Sequence, residues 1–168
     1  MRTGMIVLAG GIGRRIGRPV PKQFLLLGGK PLLIHVLEKA RAIAEIEQVV
    51  IACPADHLDA TRELVTNHRM GPKFECVVGG ASRQASALKG LQALGDVDSV
   101  IIHEAVRPLV SVADFRRLMD GDDRTLGDRV EVEVGDDGCH LDDHIGVGLE
   151  ARHLEIYPDQ IVAARHME

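Results

Sequence analysis

The sequence predicts an α/β fold, a mostly parallel sheet with helices on both faces, and three observations carry that prediction. Short runs of branched apolar residues alternate along the chain with longer stretches of helical periodicity. Each strand candidate is apolar almost throughout, as expected of a sheet covered on both sides. Three segments rich in glycine or charge lie at strand ends, where ligands bind in such sheets.

Thr3 to Ala9 reads as a buried strand, and a long loop follows through Gly29. From Leu33 the apolar positions Leu33, Val36, Leu37, Ala40 and Ala44 recur at helical spacing, with Pro31 suited to a helix start. Gln48 to Ala52 (QVVIA) is a second buried strand, stopped by Pro54. Asp56 is placed to cap a helix carrying Leu58, Leu64 and Val65 on one side. Phe74 to Val78 is a third strand, ended by Gly79 and Gly80. Ser82 then opens a helix with Leu88, Leu91 and Leu94 inward, closed by Gly95. Ser99 to His103 (SVIIH) is a fourth strand, followed by a loop and a helix from about Ser111 to Met119.

The pattern changes past that helix. Residues 1–119 carry 16 Lys+Arg against 11 Asp+Glu, whereas residues 120–168 carry 4 against 14. The expected division is therefore an α/β core over 1–119, the part that carries the candidate ligand loops, and an acidic, divergent C-terminal segment over 120–168 that the pattern does not mark as a separate domain. Within that segment Arg129 to Val134 alternates as an edge strand or hairpin arm does.

Composition narrows the function. At 168 residues with 45% hydrophobic and 27% charged content, the chain suits one soluble domain with a sizeable core. Aromatics are limited to Phe24, Phe74, Phe115 and Tyr157, which excludes stacking platforms for single-stranded nucleic acid. The mildly basic first part suits a small anionic ligand, and nothing favours duplex nucleic acid. Cys53, Cys76 and Cys139 are widely spaced without a CxxC pair, which predicts buried or free thiols in a reducing cytoplasm. The run Met5 to Ala9 is too short for a signal peptide or membrane helix, so no membrane partner is expected.

Three loops carry the chemistry. In LAGGIGRRIGRPVPKQ (8–23), Gly10, Gly11 and Gly13 let the backbone bring amide hydrogens to a phosphate chain. Arg14, Arg15, Arg18 and Lys22 add positive charge. A dinucleotide GxGxxG would need glycine where Ile16 stands, and Walker A needs GK[ST] where this loop has Pro21-Lys22-Gln23. GGASRQAS (79–86) places two glycines before a helix start bearing Ser82, Arg83 and Ser86, and a helix N-terminus offers free amides to an anion or polar ring edge. HEAVRP (103–108) presents Glu104 and Arg107 as it leaves a strand. A carboxylate beside phosphates is a natural Mg2+ ligand, with a plain Glu104–Arg107 pair as the bland alternative. His103 reads as a packed strand-end residue rather than a base. A rival cluster of Cys139, His140, Asp142, Asp143 and His144, with His153 and His166 beyond, has zinc-type residues at spacing that fits no established site.

Together LAGGIGRRIGRPVPKQFLLLGGKPLL, GGASRQASALKGL and VIIHEAVRPLV resemble the 2-C-methyl-D-erythritol 4-phosphate cytidylyltransferase family and related polyol-phosphate cytidylyltransferases over about residues 4–118. Molybdenum cofactor guanylyltransferases share the LAGG opening but lack the PKQ and ARP elements. The resemblance implies a Rossmann-like nucleotidyltransferase fold, CTP as donor, a polyol phosphate of isoprenoid biosynthesis as acceptor, and release of pyrophosphate. It implies that Ala9, Gly10, Gly11 and Gly13 wrap the nucleotide, and that Arg15 and Lys22 are the catalytic cations on the triphosphate. It implies that Gly80, Ala81, Arg83 and Ser86 read the cytosine, that Ala105 and Arg107 join the nucleotide site, and that Glu104 holds Mg2+. A homodimer is the family's assembly, though its arm is not evident here.

Glu104 stands where the family has Asp, and Val106 where it has Ala. The family's TPQ segment and late lysine are not found, and no lysine follows Lys89. Two alternatives to a working transferase accompany the resemblance: a CTP-binding relative without transfer activity, and a chain truncated or frame-shifted near residue 120.

Overall fold

Residues 2–10, 20–120 and 162–165 are described by the structure, a computed structural model. The chain opens with strand β1 (Thr3–Leu8), every residue of which is buried. Between β1 and the first helix the sequence predicts only a loop. Its described part instead contains a 3-10 turn, Lys22–Phe24, and a small hairpin of β2 (Leu26–Leu27) and β3 (Lys30–Pro31). Gly28 and Gly29 turn that hairpin at φ 58° and 79°, the left-handed pair that a two-residue hairpin connection requires.

Helix α1 (Leu32–Arg41) follows, with Leu33, Ile34, Val36, Leu37 and Ala40 buried. It stops before the expected Ala44, which is exposed, and Ile43 completes the buried face from the connection. Strand β4 (Ile46–Cys53) extends the predicted QVVIA run at both ends. Asp56 does not cap the next helix: it lies in a 3-10 turn, Ala55–His57, and His57 precedes α2 (Leu58–Asn67) without a side-chain cap. Thr61, fully buried, donates instead to the His57 carbonyl at 2.7 Å.

Strand β5 (Phe74–Val78) matches its predicted limits. Helix α3 (Arg83–Ala93) is capped as expected, Ser82 accepting from the Ala85 amide at 3.0 Å. It ends with Leu94 in extended conformation rather than on a glycine cap. Strand β6 (Ser99–Glu104) leads to α4 (Val112–Asp120). Ser111 and Asp114 cap α4 reciprocally, the Ser111 amide donating to Asp114 at 2.9 Å and the Asp114 amide to Ser111 Oγ at 3.1 Å. The residue types S-x-x-D at 111–114 account for that start.

The sheet order is β5-β4-β1-β6, all parallel, with β7 (Val162–Arg165) antiparallel on β6. The alternating expectation had assigned no strand to 162–165. The predicted Arg129–Val134 strand and the zinc-type cluster at 139–166 lie outside the described residues, as do the acidic positions between 121 and 161.

Successive strand residues feed opposite layers. Met5, Val7, Ile51, Ile101 and Ala105 pack with the buried residues of α1, α2 and α4, including Phe115. Ile6, Leu8, Val50, Ala52 and Ile102 pack against Ala87, Leu88 and Leu91 of α3. Gly90 permits the close approach of α3, since a Cβ there would stand 2.5 Å from Ile6 Cγ2. Helices therefore cover both faces, as the continuous apolar strands predict.

Lys73 joins three pieces of this framework. Its ammonium donates to the carbonyls of Ala40, Ile43 and Ile46 at 3.0, 3.3 and 2.9 Å, completing the C-terminal end of α1 and the entry to β4. A cation on helix-end carbonyls is a favourable pairing. Lys73→Met is expected to cost about 1–2 kcal/mol, read as a fall of several degrees in a thermal melt. An unchanged melting temperature would show that water replaces the ammonium without loss.

Candidate functional site

The site is built at the carboxyl edge of the sheet, where the parallel ladder runs one residue beyond each strand. The Ala9 amide donates to the Ala52 carbonyl at 2.8 Å, the Ala105 amide to Leu8 at 3.0 Å, and the Gly79 amide to Cys53 at 2.8 Å. Leu8 lies beside Glu104 in register, and Cys53 beside Val78. The ends of β1, β6 and β5 therefore open onto one edge. Strand order reverses between β1 and β6, the crevice at which open α/β sheets bind ligands.

Of the phosphate-loop residues, Ala9 and Gly10 are described, whereas Gly11, Gly13 and Arg15 lie outside the described residues. Beyond Gly10 and its chain neighbours, no atom of the described residues comes within 4 Å of where a Gly10 Cβ would stand. Lys22 begins the 3-10 turn after Pro21, and its carbonyl accepts from the Leu25 amide at 3.0 Å. Two contacts fix this turn: it packs against α1, and Phe24 meets the His57 ring edge-on with centroids 6.0 Å apart. His57 ends the 3-10 turn Ala55–His57 that follows β4, so the contact ties the Lys22 turn to the connection leaving that strand. Gln23 is 1% exposed, and neither amide atom of its side chain has a hydrogen-bond partner among the described residues.

The β5–α3 loop is shaped by Ser86. Its hydroxyl accepts from the Gly80 amide at 3.0 Å and lies 2.8 Å from the Ser82 carbonyl and 3.3 Å from the Gly80 carbonyl. Gly80 has no room for a side chain, because a Cβ would stand 2.4 Å from Ala85 Cβ and 2.7 Å from its backbone carbon. Ala81 and Ser82 are exposed at the loop tip. The resemblance puts Ser86 among the residues that read the base; its hydroxyl also holds the loop that would carry the base, a contact invisible in the motif alone.

Glu104 and Arg83 are brought together from opposite sides of the chain. Glu104 is an even-numbered residue of β6 and faces α3, whose first residue is Arg83. The Arg83 Nε to Glu104 Oε1 distance is 2.8 Å, with both side chains roughly three-quarters buried (21% and 24% exposed). Arg83 meets Glu104 directly, and the Arg107 charge of the expected Glu104–Arg107 pair acts on the same carboxyl. Burial pushes the Glu104 carboxyl above its ordinary value, against the two arginines.

His103, one residue earlier, faces the other layer. It is 1% exposed, stands edge-on to Phe115 at 5.2 Å and places Nε2 3.2 Å from the Arg107 carbonyl. Burial lowers its pKa to about 4, so it is neutral at pH 7 and donates through Nε2. A fully enclosed imidazole packed on a ring has no access to a reacting group. Ala105 is also fully buried and serves the loop through its backbone.

Cys53 and Cys76 are free, buried thiols, and burial raises both, Cys76 to about 11. Neither is a nucleophile at neutral pH. Among the described residues no group of three or more His, Cys, Asp or Glu is arranged around a common centre. No helix among them is long and apolar enough to cross a membrane.

Comparison with known proteins agrees with this geometry. The family profile for 2-C-methyl-D-erythritol 4-phosphate cytidylyltransferase (IspD) matches residues 4–138. The chain is 38% identical over 112 residues to a ribitol-5-phosphate cytidylyltransferase of Lactiplantibacillus plantarum, covering 62% of this chain and 48% of that one. It is 38% identical over 116 residues to the 2-C-methyl-D-erythritol 4-phosphate cytidylyltransferase of Geobacter metallireducens, covering 66% and 50%. The chain thus spans about half the length of these curated relatives.

Among solved structures, the 4-diphosphocytidyl-2C-methyl-D-erythritol synthase of Anaerococcus prevotii shares the fold, with TM-score 0.63 at 21% identity over 88% of this chain and 63% of that one. The Thermus thermophilus 2-C-methyl-D-erythritol 4-phosphate cytidylyltransferase aligns with TM-score 0.55 at 27% identity, covering 84% and 59%. The nucleotidyltransferase-type sheet, the three loops on its carboxyl edge and a profile match spanning all of them lead to one conclusion: this chain belongs to the 2-C-methyl-D-erythritol 4-phosphate cytidylyltransferase family.

Proposed function

We propose that this chain carries the donor site of a cytidylyltransferase that moves CMP from CTP to a polyol phosphate, 2-C-methyl-D-erythritol 4-phosphate being the first candidate. The observation that supports the reading is that the ends of β1, β5 and β6 open on one sheet edge, where Arg83 and Glu104 are paired. An acceptor phosphate oxygen bonds to the α-phosphorus of CTP, the bond from that phosphorus to the bridging oxygen breaks, and pyrophosphate leaves with the electron pair. The nucleophile is already an anion, so no general base is needed, and catalysis reduces to positioning and charge stabilisation.

Each residue group has a part in this reading. Ala9, Gly10, Gly11 and Gly13 follow the nucleotide with backbone, while Arg15 and Lys22 hold the triphosphate and the departing charge. Gly80, Ala81, Arg83 and Ser86 form the side on which the cytosine rests, and Ala105 and Arg107 join the nucleotide site. Glu104 fits a divalent cation such as Mg2+ as a single carboxylate, because that ion takes one or two carboxylates and completes its shell with phosphates and water. When bound, the ion would neutralise phosphate charge; Glu104 and its partner Arg83 would set where that carboxylate stands.

The L. plantarum relative makes ribitol 5-phosphate the second candidate acceptor. The deciding experiment is pyrophosphate release from CTP, ATP, GTP and UTP with each polyol phosphate and Mg2+. CTP-dependent release with one acceptor is expected. Thermal stabilisation by CTP without pyrophosphate from either acceptor would leave a nucleotide-binding relative and overturn the transferase.

A further inference from the structure

We propose that Lys39 is a positioning residue for Arg107, holding the loop between β6 and α4 from the neighbouring helix α1. This inference rests on the donor-site reading above. Lys39 lies in the last turn of α1, and its ammonium donates to the Pro108 carbonyl, a contact spanning 69 residues of sequence. The preceding carbonyl, that of Arg107, is met by His103 Nε2 at 3.2 Å. Two successive carbonyls of one loop are thus held by side chains from two different elements.

The loop is also tied from within. The Arg107 amide donates to the Glu104 carbonyl at 3.2 Å, and the Ala105 amide to Leu8 at 3.0 Å. Backbone on both sides of the Arg107 Cα is therefore fixed, and that sets the direction in which its guanidinium leaves the loop. A hydrogen bond from an ammonium to a carbonyl is charge-assisted and about twice as strong as a neutral one. Burial brings Lys39 below the ordinary lysine value, against the nearby Asp114 and Glu38, which favour its charged form. Lys39 has no place in the sequence motifs, and nothing in the residue pattern joins it to HEAVRP.

A lysine that merely finishes α1 would affect stability alone. A positioning lysine affects the loop and the nucleotide, so the test uses full-length Lys39→Met and Lys39→Arg. The loop is followed by amide hydrogen exchange over residues 104–110, and the site by the kinetics of pyrophosphate release. Lys39→Met is expected to speed exchange in that segment about tenfold while β1 and β4 keep their protection. It should raise the KM for CTP about tenfold with kcat changed by less than about threefold, and Lys39→Arg should restore both.

Exchange and KM both equal to wild type in Lys39→Met would overturn the proposal. So would a global loss of protection, which would mark Lys39 as a stability residue. A wild type that releases no pyrophosphate sinks the transferase reading instead, and the exchange arm still decides whether Lys39 holds the loop.

Discussion

Lys22→Ala is expected to lower CTP-dependent pyrophosphate release by about 10²–10³-fold while leaving the melting temperature within about a degree or two. The turn that carries Lys22 is held by groups other than its side chain. Pro21 sets its entry, the Leu25 amide closes it on the Lys22 carbonyl, and Phe24 anchors it on His57. Among the described residues the Lys22 ammonium has no hydrogen bond or ion pair, so truncating it removes none of these ties that hold the turn. In the proposed reaction that ammonium meets negative charge gathering on the departing pyrophosphate. Removing one preorganised charge from such a site costs roughly 3–4 kcal/mol of transition-state stabilisation. Lys22→Arg should recover part of the rate, because the charge returns with different reach. A Lys22→Ala protein with wild-type turnover would remove Lys22 from the chemistry.

Gly80→Ala should weaken CTP binding by at least about tenfold, and the reason is steric. The added methyl would meet Ala85 at 2.4 Å on its side chain and 2.7 Å on its backbone, and neither can swing away as a long side chain would. The loop must therefore move off the start of α3. That movement breaks the Gly80 amide to Ser86 bond and displaces the segment read as the cytosine side of the site. The sheet core does not depend on this loop, so melting should fall by only a few degrees. Titration calorimetry with CTP measures the first effect and a thermal melt the second. Unchanged CTP affinity would mean that the loop relaxes without cost or lies away from the base.

These two residues show different degrees of legibility. The proposal for Lys22 rests on residue type alone: a lysine behind glycines, in a PKQ triplet, after a buried strand. Gly80 was found as a loop glycine, but its reason is a distance to Ala85 that no pattern contains. Ser86 shows the same gap. The motif marks it as a polar residue of the site, whereas the fold uses its hydroxyl to fasten the Gly80 amide and the first turn of α3. The residue type of Asp56 favours a cap, but a 3-10 turn places it ahead of the helix start. The hairpin at 26–31 was hidden because each of its strands is only two residues long, too short for any periodicity.

By itself the sequence determined the alternation of strands and helices, the continuous apolar strands that demand cover on both faces, and the residue types of the three loops. Those follow from local rules: side-chain period, glycine, proline and caps, each acting within a few residues. Only the tertiary structure decided which residues meet. The period-2 alternation of β6 sends Glu104 to Arg83 on one face and His103 to Phe115 on the other. Lys39 reaches Pro108 because α1 and the β6–α4 loop pack side by side. Such pairings depend on strand order and register, which are set by burying both faces of the sheet at once rather than by any one segment.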